Sequence, residues 1–201
     1  GQYRKPNQLV LNTTPTFARH WLLPRLADFR RQHPQVDLWI FSTDEVPDMA
    51  SQTIDLAVRD DISSQAECSF KVLHADRLFP ACHPRVLKQP LAQRTTLHGE
   101  REMDWSHWAV EAGIDMGQQD QGLNFSDPGL LLDAVCSGLG IGLVSQLLSR
   151  QAQADGLLVP LVEATIRGPS WALLTHRDSE HDPLARRFTA WLLTHLQVGP
   201  T

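Results

Sequence analysis

The apolar positions change their period within the first forty residues. Leu9-Val10-Leu11 forms a short apolar run, and Asn12-Thr13-Thr14-Pro15-Thr16 interrupts it. Phe17, Trp21, Leu22, Leu26 and Phe29 then recur at helical spacing, with Arg19, Arg25, Asp28 and Arg31 off that side, and 36–41 is apolar again. Strand, hydroxyl-rich turn, amphipathic helix and strand make the first unit of an open parallel sheet. A helix that starts in such a turn offers backbone N–H groups and a partial positive charge to a small anion. Asn12, Thr13, Thr14 and Thr16 are the polar groups gathered there.

A polar segment through Gln52 has room for a short helix, and 54–61 reads as a short apolar strand ending in charge. An extended stretch over 70–82 follows. Pro80 and Pro84 weaken its end as a central strand and suit a crossing between subdomains. A second cycle then begins. Trp105, Trp108 and Ala109, with His107 and Glu111 off that face, predict a short helix ending at Gly113; 123–125 predicts a strand; Ser126-Asp127-Pro128-Gly129 is a cap-rich turn. A helix over 130–137 stops at Gly138, and 141–144 is a buried strand. Ser145 caps a helix through about 152, 157–159 and 170–175 are strands, and 183–196 is an amphipathic helix. The pattern is that of an α/β protein with two subdomains facing each other across a cleft. Ligands of open α/β sheets bind at the carboxyl ends of strands, where both hydroxyl-bearing turns fall.

Composition narrows the function. The 201 residues are 42% hydrophobic and carry a formal charge of −5, which supports a sizeable core and argues against a nucleic-acid surface in this segment. No apolar run approaches the roughly 18 residues of a membrane helix, and the first residues do not read as a signal peptide. Cys68, Cys82 and Cys136 are odd in number and widely spaced. They read as free thiols of a cytoplasmic protein, with a Cys68–Cys82 disulfide as the alternative.

Several patterns imitate catalytic sites. Gly138-Leu139-Gly140-Ile141-Gly142 has Leu143 where a dinucleotide loop needs its third glycine, and it sits between helix and strand in the wrong order; it reads as a helix terminator. The nine histidines form no metal-ligand spacing. Ser137 lacks the glycine of a nucleophile elbow. Asp44-Glu45 and Asp60-Asp61 read as solvated loop charge, and the tryptophans as core or interface filler. The chain is therefore expected to be no enzyme and to need no metal or cofactor.

One stretch carries a family resemblance: Pro15-Thr16-Phe17-Ala18-x-x-Trp21-Leu22-Leu23-Pro24-Arg25-Leu26-x-x-Phe29-x-x-x-His33-Pro34-x-Val36-Asp37-Leu38. In order after it come Ile54-Asp55-Leu56-Ala57-Val58-Arg59, Cys82-x-Pro84, Asp104-Trp105-x-x-Trp108, and Phe125-Ser126-Asp127 through the glycine-rich 138–142. Together they resemble the effector-binding domain of LysR-type transcriptional regulators, in the branch of the glycine-cleavage and β-lactamase activators. That resemblance implies a type 2 periplasmic-binding-protein-like fold of two Rossmann-like subdomains, 1–76 plus 175–201 and 77–174, joined by crossing strands near 77–82 and 168–174. It implies an effector cleft between them and an antiparallel homodimer, with a tetramer open to the full-length protein, pairing the helix at 17–33 with the partner's helix at 129–138. DNA would be contacted only through an N-terminal winged helix-turn-helix, to which nothing in these residues corresponds.

The resemblance also carries Thr16, with Thr13 and Thr14 beside it, onto the family's effector-contacting first turn. A ligand-contacting serine of the second turn falls on Pro128, leaving Ser126 and Asp127 as the nearest polar groups. A tyrosine of the returning strand is replaced by Trp171. A large cell-wall peptide is therefore a poor fit, and a small anionic, amino-acid-like metabolite a better one. Arg59 would either pair a second carboxylate or form a structural ion pair; Asp127 would meet an ammonium or simply cap its helix; Trp171 would wall the ligand or pack in the core. The rival readings are a periplasmic-type solute-binding protein for a small carboxylate or amino acid, and an enzyme built on the same cleft.

Overall fold

A computed structural model describes residues 5–100, 103–113 and 122–197. The elements in chain order are β1 (Gln8–Thr13), α1 (Pro15–Phe17), α2 (Leu26–Gln32), β2 (Asp37–Ser42), β3 (Leu56–Arg59), β4 (Cys68–Cys82), α3 (Pro84–Leu87), β5 (Leu97–His98), α4 (Trp105–Ala112), β6 (Leu123–Asn124), α5 (Pro128–Cys136), β7 (Gly142–Ser145), α6 (Arg150–Ala154), β8 (Val159–Pro160), β9 (Ile166–His176) and α7 (Pro183–Gln197). The chain divides into two compact units, Gly1–Ala75 with Ser170–Thr201, and Asp76–Pro169.

In the first unit β1 lies between two parallel partners, with Gln8 opposite Asp37 on β2 and Leu11 opposite Leu56 on β3. The C-terminal half of β9 runs antiparallel to β3, from Leu56 opposite Thr175 to Arg59 opposite Ala172. Residues 170–174, expected with the second subdomain, therefore belong with the first unit.

The helical run after β1 is not uniform. A π-helical turn, Ala18–Leu22, and a 3-10 turn, Leu23–Arg25, separate α1 from α2. Pro24 is the cause: it has no N–H to donate and its ring crowds the preceding turn, so the ladder first widens and then tightens. The run still buries one aromatic face. Trp21 stacks on Phe17 at 4.9 Å between centroids and meets Trp191 edge-on at 5.9 Å. Phe29 meets Phe188 and Trp191 of α7 edge-on.

Asp28 ties α2 to α7 as well, accepting from Trp191 Nε1 at 3.0 Å and His195 Nε2 at 2.9 Å. The Trp191 bond, chiefly, holds the Asp28 carboxyl below the usual carboxylate range. Burial pushes His195 below its ordinary 6.5, with the Asp28 charge opposing and Arg25 reinforcing the shift. The buried His195 Nδ1 has no partner among the described residues, so a second proton there would be a buried, unsatisfied donor. A histidine whose folded pKa is depressed contributes stability above its unfolded pKa and loses it as pH falls through the folded value. The melting temperature is expected to fall as pH drops below about 6.5, and His195→Gln to flatten that slope. An unchanged slope in the variant contradicts the assignment.

The second unit is built on the end of β4. It pairs antiparallel with β7 (Leu78 opposite Ser145, Ala81 opposite Gly142) and with β8 (Cys82 opposite Val159). The prolines do not take this strand off the sheet: β4 lies between β9 and β7 in strand order. Pro80 lacks a donor, but its carbonyl accepts from Leu161 N at 2.9 Å, and Pro84 opens α3 behind a His83 cap. A short parallel pair, β5 and β6, carries α4 and α5 nearby in sequence. The glycine-rich stretch is structural. Gly138 adopts φ +81°, and a Cβ on Gly142 would lie 2.7 Å from Val135 Cγ2, so it ends a helix and admits close packing.

Two further expectations are corrected. Residues 43–55 contain turns and no helix, because Pro47 and the buried Asp55 fix an irregular path. The helix expected from Ser145 to about 152 is instead a turn followed by α6. Ser145 Oγ accepts from Leu148 N at 3.0 Å and donates to the buried Asp76, whose Oδ1 accepts from Leu147 N; these bonds hold the turn open before the helix starts. No helix among the described residues is long and apolar enough to cross a membrane.

Candidate functional site

The first candidate corner is where β1 meets α1. Thr14 is the N-cap, in extended conformation, and its Oγ1 accepts from Phe17 N at 3.2 Å. Ala18 N donates to the Thr14 carbonyl at 3.0 Å, and Pro15 brings no N–H. The cap thus already occupies part of the donor set an anion would use. A hydroxyl that accepts one bond keeps its hydrogen to donate, and the Thr14 hydroxyl is half-buried with no acceptor among the described residues. Thr16, one residue into the helix, is 8% exposed.

Thr13 serves the sheet instead. Its side chain is fully buried, and its Oγ1 donates to Val58 O at 2.6 Å. The expectation that it faces a ligand is corrected, because a strand-end side chain that points across the pleat to β3 is not at the mouth of the turn.

Arg59 is corrected for a stronger reason. Its side chain is fully buried and all five N–H donors are engaged. Nε reaches Asp61 Oδ1 at 2.7 Å; Nη1 reaches Asn12 Oδ1 at 3.1 Å and Thr43 O at 2.9 Å; Nη2 reaches Asp44 O and Asp61 Oδ2, both at 3.1 Å. Nothing is left for a second carboxylate. Of the two readings of Arg59, the structural ion pair is the one realised. Asn12, expected at the mouth of the first turn, and Asp61, expected as solvated loop charge, are instead its partners, and Thr43 carries no signal in the sequence. Asp61 is the partner that spacing makes legible, since residues two apart on an extended chain share a face. Trp171 is likewise core: 1% exposed, with its ring 5.0 Å from Phe17.

The second corner, in the other unit, lies between β6 and α5. Phe125 N donates to His98 O at 2.8 Å, fixing the strand end. Asp127 is the N-cap, its Oδ1 accepting from Gly129 N at 2.8 Å, with Pro128 at the first helical position. Ser126 and Asp127 are both exposed, and the Ser126 hydroxyl has no partner among the described residues. The Asp127 carboxylate already supplies the negative charge that a helix N-terminus favours. This corner therefore suits a cation or a hydroxyl better than a second anion.

The three cysteines are free, and burial raises all their thiol pKa values, that of Cys136 to about 11 with Asp133 adding to it. A thiol held protonated is a poor nucleophile. Among the described residues no group of three or more histidine, cysteine, aspartate or glutamate side chains is placed to hold a metal ion.

The chain is similar to known proteins along nearly its whole length. Residues 4–197 match the family described as LysR substrate binding domain. The chain is 27% identical over 194 residues to the glycine cleavage system transcriptional activator of Escherichia coli (strain K12), covering 92% of this chain and 64% of that protein. It is 30% identical over 200 residues to the HTH-type transcriptional regulator PerR of the same organism, covering 95% of this chain and 67% of PerR. The chain thus spans somewhat less than two thirds of the glycine cleavage activator's length. Among solved structures, the effector domain of the transcriptional regulator AmpR of Pseudomonas aeruginosa superposes with a TM-score of 0.73 at 24% identity, covering 94% of this chain and 95% of that one. That likeness shows the fold, the type 2 periplasmic-binding-like α/β architecture. On the match over residues 4–197, the chain belongs to the LysR substrate binding domain family.

Proposed function

We propose that this chain is the effector-sensing part of a LysR-type transcriptional regulator and that its effector is a small anionic, amino-acid-like metabolite. The family match over nearly the whole chain carries the first half of this reading. The second half rests on the two capped corners. Thr14 and Thr16 bring hydroxyls to a strand-to-helix junction whose macrodipole favours a carboxylate, and Ser126 and Asp127 bring a hydroxyl and a carboxylate suited to an ammonium. A hydrogen bond to a charged group contributes about 1.5–3 kcal/mol, so a few of them support micromolar binding of a small ligand. On this reading DNA is contacted by another part of the regulator, in keeping with relatives described as transcriptional regulators.

Self-association belongs to the same reading. The helical run at 17–33 and the helix at 129–138, which would pair antiparallel with those of a second copy, leave Leu23 62% and Leu130 51% exposed, apolar surface of the kind that marks an interface.

A thermal-shift screen, amino acids and small carboxylates first, tests the proposal. A cognate effector at a hundredfold excess over its Kd is expected to add about 2.7 kcal/mol. Stabilisation by amines or neutral sugars, with none by any carboxylate, contradicts it.

A further inference from the structure

A groove of about 490 Å³ lies within the first unit, away from the Thr14 corner, between the start of β4, the end of β9 and α7. Leu173, Ala185, Ala190 and Leu193 supply its apolar surface. Phe188, Trp191 and Leu192 of the same helix are turned into the core; the groove side carries smaller residues, and that difference leaves the space.

Its polar groups divide into those engaged within the protein and those open to solvent or a ligand. Ser179 Oγ donates to Asp55 Oδ1 at 2.6 Å, and Thr189 Oγ1 to Ala185 O at 2.8 Å. Arg186 Nε donates to Glu180 O at 3.1 Å, and its Nη2 lies 2.9 Å from His181 Nδ1. By contrast, the Lys71 ammonium and the hydroxyls of Ser69 and Thr175 have no hydrogen-bond or ion-pair partner among the described residues. Ser69 and Lys71 are two apart on β4, as are Leu173 and Thr175 on β9, so each pair points to one side of its strand. Arg177 N donates to Glu67 O at 2.8 Å and holds these strand ends together. The charged lining is two cations, Lys71 and Arg186, against one carboxylate, Glu180, with His181 beside them.

We propose that this groove binds a small monocarboxylate with an apolar body, its carboxylate on Lys71 and the Ser69 and Thr175 hydroxyls and its hydrocarbon against Leu173, Ala190 and Leu193. The volume falls in the range of small-molecule sites, which join an apolar wall to a few convergent polar groups. The site is separate from the proposed effector corners and does not depend on them.

Hexanoate is the probe, with hexanol as its uncharged counterpart, titrated into the whole chain and followed by amide chemical shifts. Saturable shifts are expected at Thr175, Thr189 and Leu193, with hexanol binding more weakly. Lys71→Gln is expected to weaken hexanoate by about fivefold, the size of an exposed ion pair, and to leave hexanol unchanged. Ala190→Trp, at an exposed position, fills the groove and abolishes both while the melting temperature holds. Thr16→Ala leaves hexanoate binding intact, which separates this site from the effector corners. The absence of saturable shifts, or hexanoate binding indifferent to both groove variants, overturns the proposal.

Discussion

Replacing Arg59 with methionine is expected to destabilise the protein by about 3–5 kcal/mol, since several hydrogen bonds from a buried charged group are lost at about 1.5–3 kcal/mol each. The side chain is fully buried, and its loss strands Asn12 Oδ1, Thr43 O and Asp44 O without their donor. Arg59→Lys is expected to be nearly as damaging, since an ammonium cannot reproduce the planar fork that reaches β1, the loop after β2, and Asp61 together. Asp61→Asn is expected to cost far less, about 1 kcal/mol, because the Asp61 side chain is 37% exposed. Denaturant unfolding measures all three. If Arg59→Lys unfolds within about 1 kcal/mol of the parent, below the usual cost of a stranded buried group, the network is not what holds this strand end.

Trp21→Ala is the second large effect, about 3–5 kcal/mol for an aromatic-to-alanine change in a packed core. Trp21 is fully buried, stacked on Phe17 and edge-on to Trp191, with the Arg25 guanidinium carbon 4.6 Å from its ring centroid. Trp21→Phe is expected to cost less than about 1.5 kcal/mol. The indole Nε1 is buried without a partner among the described residues, so phenylalanine gives up volume and also removes an unsatisfied donor. An equal loss in both variants would contradict the assignment of this energy to the aromatic stack.

These two residues also mark where sequence reasoning reached and where it stopped. The aromatic stripe of 17–29 was legible because period 3.6 survives local distortion: Phe17, Trp21 and Phe29 are buried even though Pro24 breaks the helix into α, π and 3-10 pieces. The distortion itself was not read, because spacing reports the face and not the hydrogen-bond register. Caps were legible at Thr14 and Asp127, where a short polar side chain precedes a proline. The end of α4 was legible at Gly113, which adopts φ 69°. Arg59 was half-legible. A strand-end arginine reads equally well as a ligand anchor or a structural pin, and only its three-dimensional neighbours Asn12, 47 positions away, and Thr43 decide between them. Ser145 failed for the same reason. Its hydroxyl is committed to Asp76, 69 positions away, so a local helix cap became a tertiary bond.

The most direct measurement is calorimetric titration of the effector found by screening into the parent chain, Thr16→Ala, Ser126→Ala and the double variant. Each single change is expected to weaken binding, Thr16→Ala by about 1.5–3 kcal/mol as for a hydrogen bond to a charged group. The double variant is expected to bind no more tightly than either single one. Affinity unchanged in both single variants would contradict the proposed effector site.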